Sequence, residues 1–162
     1  MNTEPFRPTA VPLVTVDPYF SIWSFSDRLY GDVPRHWTGR KNAMTGLLRV
    51  DGNWFRFMGK VEQSLENYYA EPPALEQKSR EVLPTRTCYR FGNDTVTLGV
   101  EFLTPLLPHD WELMSRPVSY IAYSVKTADG KPHDVCVYLD ICAETAVNET
   151  NQRSEERRVG KE

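Results

Sequence analysis

At 162 residues the chain is long enough for one domain with a real hydrophobic core and too short for two full ones. Hydrophobic residues make up 40% and charged residues 25%, the proportions of an ordinary globular protein. The formal net charge is -3, and Lys and Arg are scattered except at Arg157-Arg158, which argues against nucleic acid or an anionic membrane surface as partner.

Met1 to Ala10 is polar and holds Pro5 and Pro8, without the charged start and apolar centre of a secretory signal. Nor does any stretch approach the roughly 20 apolar residues of a membrane-spanning helix. As written, the chain is expected in the cytoplasm, with no membrane partner.

Helical periodicity is nearly absent, while period-two alternation and turn signals recur. Leu13 to Val16 and Phe20 to Trp23 are short β-type runs separated by Asp17-Pro18. Asp27 to Met44 has no clear period and reads as an irregular loop. Thr45 to Val50 and Asn53 to Met58 flank Asp51-Gly52, a two-residue hairpin signal because such a turn needs positive φ. Gln63 to Gln77, with Tyr68-Tyr69 and Pro72-Pro73, reads as a connection with at most one helical turn. Glu81 to Phe91 and Thr95 to Leu103 form a second predicted hairpin about Gly92-Asn93-Asp94. Within it Val96, Leu98, Val100 and Phe102 share one face, the outline of a half-buried strand.

The strongest predicted pair is Pro117 to Lys126 with His133 to Cys142, bracketing Ala128 to Lys131. Ile121, Tyr123 and Val125 share one face of the first strand; Val135, Val137, Leu139 and Ile141 share one face of the second. The fold class that follows is all-β, an antiparallel β-sandwich with an irregular N-terminal segment.

Cys88, Cys136 and Cys142 are an odd set, so they cannot all pair within the chain. On one strand Cys136 and Cys142 stand about 20 Å apart, beyond the Cα limit of about 7 Å for a disulfide. Free, partly buried thiols are expected. No CxxC or close Cys/His spacing marks a metal site, and no cofactor motif is present. After Val147 the only apolar residue is Val159. Residues 153–162 read as a disordered tail, and Ser154 to Glu162 resembles read-through of sequencing-adaptor DNA, a foreign end.

The run Arg7 to Ser24, with its DPYFSIWS stretch, is similar to the opening of the glutaminase A family, as are Arg35-His36-Trp37-Thr38-Gly39, Met44-Thr45-Gly46, Arg49 to Gly52 and Arg56 to Gly59. Thr104 to Leu107, Ser115 to Tyr120 and Asp134 to Ala143 resemble the same family's sandwich-like (supersandwich) second domain. The resemblance implies an N-terminal segment at 1–62 and the start of an incomplete β-sandwich domain at 63–152. It further implies a parent about two to four times longer, ending in a helical toroid that hydrolyses L-glutamine to L-glutamate and ammonia. That toroid is the partner this region would brace. No catalytic residue of the family can be carried onto these positions, so no residue of this chain is expected to be catalytic. Secretory signals are familiar in that family, and this chain departs from it by starting almost directly at the motif.

Amide hydrolysis needs an activated nucleophile, an acid/base group and an oxyanion stabiliser. Cys88, Ser24, His36, His109, His133, Asp17 and Asp110 are the right residue types, yet none sits in a nucleophile-elbow pattern. His109 and His133 read as exposed loop residues. Arg35, His36 and Trp37 form the best candidate for ligand contact, a cation, an imidazole and an indole in one loop. The bland alternative pairs Arg35 with an acid such as Asp32 and buries Trp37 against the sandwich. Asp17 reads first as a turn residue beside Pro18 and second as a ligand contact. A rival from another class is a carbohydrate-binding module using Trp23, Trp37, Trp54 and Trp111 as stacking surfaces.

Overall fold

The computed structural model describes residues 8–60 and 70–147. The tail expected at 153–162 and residues 63–69 of the predicted connection lie outside the described residues. Within them the regular secondary structure is almost all strand: β1 (Val11–Thr15), β2 (Ser21–Ser24), β3 (Met44–Val50), β4 (Asn53–Met58), β5 (Gln77–Leu83), β6 (Arg86–Gly92), β7 (Val96–Leu103), β8 (Tyr120–Thr127) and β9 (Val135–Ile141). A single-turn α1 (Trp111–Met114), capped by the Asp110 carboxylate, and a 3-10 turn at Ala143–Ala146 are the helical pieces there. The strands pair antiparallel as a β1-β2 hairpin, a three-stranded sheet ordered β4-β3-β9 and a four-stranded sheet ordered β5-β6-β7-β8.

Local chemistry explains most of the turns. Asp17 Oδ1 accepts the Tyr19 and Phe20 amides at 2.7 and 2.8 Å, which folds the chain between β1 and β2. Asp51 and Gly52 adopt φ of 48° and 84°, so the β3-β4 turn has the positive-φ pair whose twist matches its strands. Asn93 Oδ1 accepts the Thr95 and Val96 amides at 2.9 Å each and turns β6 into β7.

Two expectations are corrected. Glu81 to Phe91 is not one strand: β5 ends at Leu83 and β6 begins at Arg86, with Pro84-Thr85 in the turn. Proline has no N–H for a central ladder, so it breaks the run. The strongest predicted hairpin does not form either. β8 pairs with β7 from Leu103↔Tyr120 to Val96↔Thr127, and β9 pairs with β3 from Met44↔Ile141 to Val50↔Val135. The connecting residues Ala128 to Asp134 carry the chain from one sheet to the other.

That crossing is held by His133. Its Nε2 lies 2.9 Å from Asp129 Oδ1, and its Nδ1 lies 2.6 Å from Asp51 Oδ2 on the β3-β4 turn. The Asp134 amide adds a bond to Asp51 Oδ1 at 2.9 Å. The hydrogen bonds that His133 donates to Asp129 and then to Asp51 push the imidazole up, and the same bonds hold both carboxyls below the usual range. A raised imidazole contributes stability that is complete below its unfolded value and disappears as pH rises through the folded one. The lowered carboxylates contribute above their unfolded value and lose that contribution as pH falls through the folded one. The clasp is therefore strongest in mildly acidic solution, between about pH 4 and about pH 6.5. In thermal melts across pH, wild type is expected to exceed His133→Asn most in that window, with the gap shrinking in alkali. A gap that widens above neutrality would contradict the assignment.

One core joins the two sheets and the hairpin. On β7 the predicted row Val96, Leu98, Val100 and Phe102 is buried, as are Met44, Leu48 and Val50 on β3 and Ile22 on β2. Phe91 of β6 is fully enclosed, with ring centroids 5.8 Å from Phe57 of β4 and 5.9 Å from Tyr89. Register shifts between Gly46 and Leu47, giving β4 one extra residue and turning Phe57 inward. Gly46 is required beneath it, because a β-carbon there would collide with the Phe57 ring.

The same bulge leaves Arg56 pointing away from the core, where a strap closes over it. The Arg56 backbone exchanges bonds with Pro73 and Leu75 at 2.8 Å each, so 73–75 also covers the outer edge of β4. Its guanidinium donates to the Tyr30 carbonyl at 2.5 Å and to the Gly59 carbonyl, pairs with Glu71 at 3.0 Å and lies 5.8 Å from the Tyr30 ring centre.

The opposite side of the molecule is open. Val135, Val137, Leu139 and Ile141 register with the buried row of β3 and face the core, yet Val135, Leu139 and Ile141 are 40%, 42% and 49% exposed. On β8 Ile121, Tyr123 and Val125 register with the buried row of β7, and Tyr123 is 59% exposed. The last strand of each sheet thus presents an inward row with nothing over part of it among the described residues. Cys88 and Cys142 are half-buried, Cys136 is exposed, and all three are free.

Candidate functional site

The two sequence stretches richest in rare residues come together at the Pro18 carbonyl. The Asp17-Pro18-Tyr19 turn projects this oxygen toward the 35–41 loop, where Trp37 Nε1 donates to it at 2.6 Å and His36 Nε2 at 2.9 Å. A carbonyl only accepts, so Nε2 carries a proton. His36 Nδ1 lies 2.8 Å from Thr38 Oγ1 and accepts the Thr38 amide at 3.3 Å. Both ring nitrogens are thus occupied by local structure, and the indole stacks obliquely on the imidazole at 5.2 Å.

The loop itself is held on the sheet edge through Arg35, whose backbone exchanges bonds with Trp23 at 2.7 and 2.9 Å. The Arg35 side chain grips Asp32 with Nε and Nη2, both at 3.1 Å. Burial alone would push Asp32 up, but the Arg35 hydrogen bonds, the Val33 amide and the Arg35 charge together hold its carboxyl below the usual range. The expected Arg35–Asp32 pair is present. Trp37, by contrast, does not bury its ring against the sandwich; it is 58% exposed, because Pro18 holds its N–H at the surface.

Asp17 and His36 line an open cleft of about 430 Å³ of mixed polar and apolar character, together with Tyr19, Phe20, Arg40, Asn42 and Glu144. Arg40 Nη2 reaches across to the Glu144 carbonyl at 3.1 Å. Of the four predicted contact residues, Asp17 and His36 reach the cleft, Trp37 flanks it through Pro18, and Arg35 is turned to Asp32. Sequence inspection missed Tyr19, Arg40 and Glu144. Tyr19 stands inside the DPY turn and Arg40 just past the RHWTG stretch, so both were within reach. Glu144 had no signal, being a hundred positions away until β9 docks on β3.

The remaining candidates do not converge. Burial, then the nearby Glu101 carboxylate, pushes the Cys88 thiol up, which disfavours the thiolate that nucleophilic attack requires. Ser24 is buried, His109 is exposed next to the α1 cap, and His133 serves its two aspartates. Among the described residues no group of three His, Cys, Asp or Glu side chains could hold a metal ion. As for the tryptophans, Trp23 is half-buried with its indole N–H enclosed, which removes it from an exposed stacking row. Trp54 and Trp111 are exposed on β4 and α1.

An antiparallel β-fold with a cleft where its loops meet defines a β-rich domain, and comparison with known proteins shows what it is similar to. Two families of unknown function match: DUF4964 over residues 2–69 and DUF5127 over residues 85–160. Glutaminase A of Aspergillus oryzae is 34% identical over 157 residues, covering 91% of this chain and 21% of its own length. A protein of Arthroderma benhamiae described as a probable glutaminase is 24% identical over 148 residues, covering 85% of this chain and 17% of its own. The chain is a homologue of the N-terminal region of glutaminase A, and it spans about a fifth of the length of these curated relatives. No solved structure matches it.

Proposed function

We propose that this region is the non-catalytic β-scaffold of a glutaminase A-like amidohydrolase. The observation that carries it is the open side: β8 and β9 hold core-facing apolar rows in register with buried strands, ready to pack against further chain. Glutaminase A of Aspergillus oryzae is about five times as long as the matched stretch, which supports reading the rest of the parent, including a helical catalytic domain, as what packs there. The parent would hydrolyse L-glutamine to L-glutamate and ammonia. In this role the cleft at Asp17 and His36, with the exposed ring of Trp37, forms one wall of a domain junction. The rigid hydrogen bonding at Pro18 suits a wall better than a proton-transfer group.

The purified chain is expected to release no ammonia from L-glutamine above a buffer control. Release that is lost on His36→Ala would overturn the proposal.

A further inference from the structure

We propose that the cavity between the start of β1, the end of β2 and β5 binds a small carboxylic acid, its carboxylate held by Arg80 and the Ser24 hydroxyl. The cavity measures about 360 Å³. Arg80 and Ser24 stand on its polar side, and Pro8, Val11 and Phe25 give it an apolar side.

Arg80 is an unusual residue for its place in the sheet. It is the direct ladder partner of Tyr89, whose ring lies in the core, so both residues stand on the inward face. Arg80 is half-buried there and makes no ion pair or hydrogen bond among the described residues. A charge drawn inward ordinarily has a counter-charge or an acceptor.

The group beside it is unsatisfied too. Tyr89 is fully buried, and its hydroxyl has no hydrogen-bond partner among the described residues. Burial pushes that hydroxyl up, while the Arg80 charge and the nearby Ser24 hydroxyl pull it down. Ser24 is itself buried, and its bond to the Ser26 carbonyl is long at 3.5 Å. Tyr89, Ser24 and Arg80 thus form a row of donors from the core to the cavity wall, with no strong protein acceptor along it. Buried donors are nearly always satisfied, by protein, water or an ion.

Charge and shape select the ligand. The Arg80 guanidinium offers a planar fork that matches the two oxygens of a carboxylate. Asp27 also lines the cavity, so one cation stands beside one acid, which suits a monoanion better than a dianionic phosphate. The apolar side gives a short hydrocarbon body somewhere to pack.

Thermal melts of the whole chain at constant ionic strength, with chloride exchanged for butyrate, acetate or inorganic phosphate, test this. Butyrate is expected to raise Tm saturably, with acetate at least about threefold weaker and phosphate no better than chloride. Arg80→Gln is expected to weaken butyrate at least about tenfold. Arg90→Gln, which removes the same charge from the exposed outward face of β6, should leave butyrate binding unchanged. Ser24→Ala, expected to weaken butyrate about threefold or more, gives a second reading should Arg80→Gln fail to fold. No response to butyrate, a response that survives both substitutions, or phosphate binding more tightly than butyrate would each overturn the proposal. It takes nothing from the scaffold reading, so ammonia release would leave it standing.

Discussion

Replacing Arg56 with alanine is expected to lower the unfolding free energy by about 3–5 kcal/mol, the cost of breaking a buried ion pair from one side. Arg56 is 7% exposed and serves three separate pieces of chain at once: Tyr30 in the long loop, Gly59 after β4, and Glu71 in the strap. Truncation would leave two enclosed carbonyls and the Glu71 carboxylate without their donor, and would open a space beneath the strap. Arg56→Lys keeps the charge but not the fork, so it should recover only part of the loss. Urea unfolding followed by tryptophan fluorescence measures both. A loss below about 1 kcal/mol for the alanine variant would place Arg56 among ordinary surface ion pairs.

Phe91→Ala is the second large effect, also about 3–5 kcal/mol. Phe91 is fully buried on β6, and its ring meets Phe57 from the other sheet, Tyr89 from its own and Tyr30 from the loop. Removing it takes the common partner from three aromatic contacts and leaves a cavity between the layers, where the sheets cannot close without shifting β4. Phe91→Leu refills most of that volume and should cost less than half as much. Equal losses for the two variants would mean that ring geometry, and not volume, dominates the site.

What the sequence disclosed was local. Asp17-Pro18, Asp51-Gly52 and Gly92-Asn93 place their turns through chemistry carried by the turn residues themselves, and the structure follows each. The β7 row was equally legible, since a period of two with Val, Leu, Val and Phe leaves one way to bury it. Pro84 was a signal within the 81–91 run, overridden by the alternation around it. The pairing of β8 and β9 was not legible, because alternation says that a strand has a buried face and not which neighbour shares its ladder. The seven residues Ala128 to Asp134, with Pro132 and the His133 clasp, are longer than a tight hairpin turn requires. The cleft was half legible: Asp17 and His36 lie in motifs, whereas Glu144 arrives only through tertiary structure. Arg56 carried no sequence signal of enclosure, which the bulge and the strap bring about.

The crossing from one sheet to the other also sets a timetable. β3 is the central strand of its sheet, yet one of its two neighbours comes from near the far end of the chain, with Met44 meeting Ile141. A ladder closed over so long a loop forms late, because the entropy of closure precedes any reward. While the chain emerges from the ribosome, β3 must therefore wait with one flank bare, paired only to β4, until β9 is made.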